Sequence, residues 1–230
     1  MRESRGAAVV TGVFFLVAAV SAIAALALYQ PLLGDPAYVL GAGADTQVRW
    51  GALLEVVLAA ACIGTAVAAY PVIERHGRAL ALGYVCGRLL EAAVIVVGIV
   101  SVLAVVALRS AGDDASSVAV ARGLVALHDA TFLVGPGLVI GVNTLLLAAL
   151  VHRGRLAPRW IAVTGLVGGP LVFLSSTAVL FGVYEQVSVW GFLCAVPVTV
   201  WEMGLAVYLI ARGFRTAPAQ APGRRDLVTA

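Results

Sequence analysis

GYVCGRLLEAAVIVVGIVSVLAVVAL, residues 83–108, is the stretch on which the fold turns. It is apolar for longer than the roughly 20 helical residues that cross a hydrocarbon core about 30 Å thick. Yet Arg88 and Glu91 fall near the middle of that crossing, where an ionised side chain facing lipid costs about 2.5 kcal/mol or more. They need a bundle interior to face, and the rest of the chain supplies one. Of the 230 residues, 62% are hydrophobic and 12% charged, with a mean hydropathy of +1.03. A soluble domain has roughly 45–50% apolar and 25% charged residues. Apolar runs at about 7–29, 49–73, 80–108, 118–151, 159–182 and 189–211 are each long enough to span. The expected fold class is an all-α integral membrane protein, a bundle of about six transmembrane helices forming a single domain over residues 1–212. The first run exceeds a signal-peptide core of about 7–15 residues and reads as a retained span.

Arginine orients the bundle, because short cytoplasmic loops collect positive charge. Arg2 and Arg5, Arg75 and Arg78, Arg153, Arg155 and Arg159, and Arg212, Arg215, Arg224 and Arg225 fall on one side of six spans. The other side has Arg49 and Arg109 among Asp35, Asp45, Asp113, Asp114 and Glu185. Both termini are therefore expected in the cytoplasm, with the chain multi-pass in the cytoplasmic (inner) membrane. Tyr29, Trp50, Tyr184 and Trp190 then mark the outer interface, and Tyr70, Trp160 and Tyr208 the inner one. The tail, 213–230, has Pro, Gly and arginines without an apolar period and reads as a disordered basic segment that touches anionic lipid.

Composition also excludes some chemistry. All 15 basic side chains are arginine, so no lysine Schiff base exists. Cys62, Cys86 and Cys194 sit in apolar runs without a CxxC and read as small buried hydrophobes. There is no P-loop, and the net charge of +3 is accounted for by cytoplasmic loops, so neither a nucleotide cofactor nor a nucleic-acid partner is expected.

Depth along the helices, at about 1.5 Å per residue, places Arg88 and Glu91 on the third span, His128 and Asp129 on the fourth and Glu202 on the sixth in the middle third. Glu55 on the second span and Arg122 on the fourth lie nearer the outer face. Such residues should face the interior and one another, implying a polar chamber. Arg88 and Glu91 are i,i+3 on one helical face, with Tyr84 a turn before. Arg122, Asp129, Pro136 and Asn143 recur every seven residues and so share one stripe of a regular helix, with His128 about 100° from Asp129. Gly135-Pro136-Gly137 interrupts that span, since proline removes a backbone donor. Each feature also has a purely architectural reading: a helix-locking ion pair, a packing kink, and GxxxG spacings (Gly83 with Gly87, Gly137 with Gly141, Gly165 with Gly169) that bring helices close. Four acids against two arginines and one histidine exceed what a structural pair needs.

GYVCGRLLEAAVIVVGI (83–99), LVHRGRLAPRWIAVTGLVGGPLVF (150–173), VTVWEMGLAVYLIARGF (198–214) and AYPVIERHGRALAL (69–82) resemble the bacterial multi-pass membrane family catalogued as domain of unknown function 4386. The resemblance covers Val10 to Phe214, most specifically in R-x-x-E and R-L-x-P-R-W, and places Arg88, Glu91, Arg155, Pro158, Arg159, Trp160 and Glu202 at matching positions. It implies a fold but no activity. His128 and Asp129 fall outside its motifs.

Function is therefore argued from the chamber. Carboxyls desolvated in an apolar pocket hold their protons. Such an acid can protonate an alkene or epoxide, and aromatic faces stabilise the cation that results. Asp129 or Glu202 is the expected donor, with His128 tuning Asp129, Arg88 holding Glu91 ionised and Glu55 nearby. Trp201, Phe132, Tyr84 and Phe173, with Asn143 and Arg122, are the expected substrate contacts. The resulting expectation is an intramembrane enzyme for a lipophilic, isoprenoid-type substrate, by analogy with small membrane-bound terpene cyclases and without a motif match to them. Three alternatives stay open. One is a proton-coupled transporter gated at Gly135-Pro136-Gly137, for which a homodimer would supply a pathway. Another is an accessory or sensor protein with a dry interior. The third is a metal site from Glu91, His128, Asp129 and Glu202, which lacks H-x-x-x-H and Glu-x-x-His pairs, so no metal is expected.

Overall fold

A computed structural model describes residues 2–35, 37–41, 43–111 and 115–215. The chain forms α1 (Arg2–Leu33), α2 (Asp45–Ile73), α3 (Arg78–Ala111), α4 (Ala115–Phe132), a π-helical segment (Leu133–Val139) continuing directly into α5 (Ile140–Gly154), α6 (Arg159–Leu180) and α7 (Val189–Arg212). Six stretches are long and apolar enough to cross a membrane, the fourth being the composite Ser116–Gly154. The protein is thus an all-α, six-span membrane bundle. Helices are the natural solution for such a chain, because every backbone polar group in lipid must be satisfied within its own segment. Asp113, Asp114 and the tail beyond Arg215 lie outside the described residues.

The spans close into a ring: α1 packs on α2 and α7, α2 on α3, α3 on α4 and α5, α5 on α6, and α6 on α7. Small residues allow the closest approaches. A Cβ on Gly141 would stand 2.8 Å from the Gly169 carbonyl oxygen, and one on Gly169 2.7 Å from that of Gly141. These two GxxxG spacings therefore serve α5–α6 packing. The R-L-x-P-R-W stretch is the tight α5–α6 turn. Arg155 takes the left-handed conformation (φ 49°), and the Leu156 N–H donates to the Val151 carbonyl at 3.0 Å. That bond satisfies one of the carbonyls left open at a helix end.

Buried apolar residues form two clusters. One, at the end where α1 begins and α7 finishes, includes Phe15, Ile73, Tyr84, Leu150, Ile161, Trp201 and Leu205. The other, toward the opposite end, is built by α1 to α4 and the α1–α2 connection, with Tyr29, Leu32, Tyr38, Val48, Ile95 and Val102. Neither α6 nor α7 enters this second core, and Trp190, Phe192 and Leu193 of α7 are exposed. There, among the described residues, the ring is loose on one side: α4 packs on α3, the π segment and the α1–α2 connection, without comparable packing on α1 or α7.

The cysteines do not behave alike. Cys62 is buried as expected, but Cys86 is exposed and Cys194 is half-buried, so neither is the buried hydrophobe its apolar run suggests. Trp50, Trp160 and Trp190 are exposed. Tyr29 instead lies in the interior, fully buried.

Candidate functional site

Between the two cores lies a cavity of about 190 Å³. α1 contributes Phe15, Ala18, Ala22 and Tyr29; α2 contributes Glu55, Leu58 and Cys62; α3 contributes Arg88, Glu91 and Ile95. His128, Thr131 and Phe132 come from α4, Pro136 from the π segment and Glu202 from α7. Most of this wall is apolar, and the ionisable groups gather in two places.

The first is built on the i,i+3 spacing of α3. Arg88 and Glu91 are each 3% exposed, and Arg88 Nη1 donates to both Glu91 oxygens at 3.0 and 3.2 Å. Desolvating two such charges costs several kcal/mol per ion, so the pair is tolerable only if its remaining hydrogen-bonding capacity is met. Asn143 Nδ2 donates to Glu91 at 2.7 Å, Arg88 Nε donates to the Tyr84 hydroxyl at 3.3 Å, and the Cys62 sulfur lies 3.9 Å from both partners. The guanidinium carbon also faces the Phe15 and Tyr84 rings, 5.3 and 5.7 Å from their centroids. Glu202 differs. Its carboxylate stands 3.7 Å from Arg88 Nη2, beyond hydrogen-bonding distance, and among the described residues no hydrogen bond engages it. Its side chain remains 19% accessible and lines the cavity.

The second group joins α1, α2 and α4. The Tyr29 hydroxyl donates to Glu55 at 3.0 Å, and the His128 ring meets Tyr29 edge to face at 5.6 Å between centroids.

The expected site residues therefore separate. Arg88, Glu91, Glu202, Glu55, His128 and Phe132 share the cavity wall. Tyr84, Asn143 and Trp201 pack with Arg88 and Glu202 just behind it. Asp129 and Arg122 do not join them: both are exposed and line a separate cavity of about 290 Å³ with Asp35 and Tyr38. Among the described residues, Asp129 keeps only a 3.3 Å contact to His128 Nδ1. Phe173 is 39% exposed on α6, away from the cavity wall, with its backbone against Gly141.

The π segment explains the split. Each of its turns takes about one residue more than an α turn, so seven π residues set the register back by roughly a third of a turn or more. Asn143 after the segment and Asp129 before it then point different ways, and the seven-residue stripe does not survive. Pro136, which has no N–H to give, sits inside the segment, and the Ile140 N–H reaches back five residues to Gly135. With Asp129 outside, the four candidate metal ligands do not assemble; among the described residues no group of three or more His, Cys, Asp or Glu is placed to hold a metal ion.

Phe15, Tyr29 and Cys62 were not legible as site residues, being ordinary members of apolar runs. A second unforeseen cluster ties the far end. Arg109 bonds Asp45 through Nε at 2.8 Å and through a further contact from Nη2, and also reaches the Gly41 carbonyl at 3.0 Å. Tyr38 donates to the same aspartate at 2.7 Å. Burial, and next the carboxylate it donates to, push the Tyr38 phenol above its ordinary range.

A protein-family model described as Domain of unknown function (DUF4386) matches residues 10–213. No curated protein and no solved structure matches the chain.

Proposed function

Since the chain belongs to the DUF4386 family, whose description names no activity, we propose one from the chamber itself: an intramembrane enzyme acting on a lipophilic substrate by carboxylic-acid proton transfer. The observation that supports this reading is the asymmetry between two acids around one guanidinium. Glu91 is hydrogen-bonded by Arg88 and Asn143, whereas Glu202 meets Arg88 only as a looser ion pair at 3.7 Å and, among the described residues, has no hydrogen bond. One guanidinium balances one carboxylate, so the second acid carries the exchangeable proton. Glu202 is the proton donor. Asp129, exposed and outside the chamber, has no part in the reaction.

In this scheme the Glu202 carboxyl delivers its proton to an alkene carbon or epoxide oxygen of an isoprenoid-type chain. The carbocation formed is stabilised by the rings of Tyr29 and Phe132, which line the cavity. Loss of a proton from a neighbouring carbon to a chamber carboxylate, either Glu202 or Tyr29-bonded Glu55, completes an isomerisation or cyclisation with no net change in atoms or electrons. The loose side of the ring, between α1 and α4, lets such a chain arrive from the membrane. The experiment is incubation of purified protein with polyene and epoxide lipids in D2O, with mass spectrometry for deuterium in an isomeric product. Glu202→Gln should lower turnover by about 10²–10⁴-fold while leaving a folded, extractable protein. Full activity in that variant refutes the assignment.

Proton-coupled transport is the second reading, favoured by Pro136 and the π segment lining the same cavity. A substrate-driven pH change inside proteoliposomes, without product formation, would decide for it.

A further inference from the structure

The charge inventory of the chamber goes further than the reaction type and, resting on the reading above, names its substrate class. Three carboxyls, Glu55, Glu91 and Glu202, line the wall with a single arginine, Arg88, and the imidazole of His128. Among the described residues no other cationic side chain reaches the cavity. Arg88, moreover, has little left to offer. Nη1 is bound to Glu91, Nε to the Tyr84 hydroxyl, Nη2 lies beside Glu202, and its face is covered by Phe15 and Tyr84. A phosphate or diphosphate head would meet no free guanidinium, and its charge would hold Glu55 and Glu202 in their neutral forms, so no cation in the chamber would offset its loss of hydration. A lipophilic amine would take up the proton of Glu202 and pair with the carboxylate left behind, with Glu55 on the same wall and the Tyr29 and Phe132 rings lining it.

We propose that this chamber selects lipophiles that are neutral or positively charged and rejects phosphorylated ones, so that its substrate is an uncharged lipid which becomes cationic during reaction, and a lipophilic amine is its tight-binding mimic. The substrate is then an isoprenoid hydrocarbon, alcohol or epoxide and never its diphosphate. The enzyme accordingly acts after the class of reaction that removes the phosphate from an activated prenyl chain.

The test compares three probes with the same ten-carbon tail, N,N-dimethyldecylamine, decanol and decyl phosphate, at equal mole fraction in the detergent micelle. Binding is read from the shift of the thermal unfolding midpoint. The amine should bind at least about tenfold more tightly than the alcohol, a difference of ~1.4 kcal/mol, and the phosphate should give no shift. Glu202→Gln and Glu55→Gln should each narrow the amine-to-alcohol ratio. Equal binding of amine and alcohol, binding of the phosphate, no binding of any probe, or an unchanged ratio in both variants each overturns the proposal. The ranking does not depend on turnover. An amine preference without any deuterated product retains the charge selectivity and removes the enzyme reading; a deuterated product without that preference does the reverse.

Discussion

Gly87 is the most exposed point of this account to experiment. It lies across from Asn143, and a methyl group there would stand 1.9 Å from Asn143 Oδ1 and 3.0 Å from its Cγ. Asn143 is 1% exposed and, among the described residues, its Oδ1 has no hydrogen-bond partner, so the oxygen itself loses nothing by moving. The amide moves as one plane, however, and turning it away takes Nδ2 from Glu91, where it donates at 2.7 Å. A hydrogen bond to a buried charged group is worth about 1.5–3 kcal/mol, and overfilling a packed site costs about 1–3 kcal/mol more. The Gly-to-Ala gain in helix propensity offsets about 1 kcal/mol. Gly87→Ala should therefore destabilise the protein by about 1.5–5 kcal/mol, the balance of these terms. In an Asn143→Ala background neither the clash nor the bond exists, and the same substitution should be neutral or stabilising by up to ~1 kcal/mol. The four proteins form a double-mutant cycle, measured by unfolding in mixed detergent and SDS micelles, with an expected coupling of about 2.5–6 kcal/mol, because the propensity gain cancels between backgrounds. If Gly87→Ala costs the same in both backgrounds, or nothing in either, Asn143 does not brace Glu91 and the reasoning fails.

Two further substitutions follow from the same geometry. Arg88→Ala leaves Glu91 buried with its cation gone and should cost about 3–5 kcal/mol, seen as a large fall in the thermal midpoint; Arg88→Met combined with Glu91→Leu should recover most of it, and a normal midpoint for Arg88→Ala alone would contradict the ion pair. Asp129→Asn should leave both stability and turnover near wild type, because this side chain is 62% exposed and outside the chamber; loss of activity would return Asp129 to the site.

What could be read from the residues, and what could not, follows their chemistry. Six spans are legible because length and apolarity are all a membrane helix requires. Arg88, Glu91 and Glu202 are legible because an ionisable group at that depth has nowhere to go but inward. Asp129 lies at the same depth and is nevertheless outside the chamber, because a regular helical period does not run through Gly135-Pro136-Gly137. That tripeptide signalled an interruption but not its kind, and a π segment rotates everything beyond it where a simple kink would not. Tyr29 was lost for a different reason. At the end of a span it fits an interfacial belt, and only the acid on the neighbouring helix, Glu55, draws it inside. Phe15 and Cys62 carry no signal at all: their roles come from Arg88 being packed against them.

The central claim is that acids from separate helices share one chamber, and a hydrophobic carbodiimide that modifies carboxyls tests it most directly, with mass spectrometry to locate the product. N,N-dimethyldecylamine should protect Glu55 on α2 and Glu202 on α7 along a single concentration curve and leave Asp129 labelling unchanged. Protection of the two glutamates at different concentrations, or of Asp129 together with them, would contradict the shared chamber.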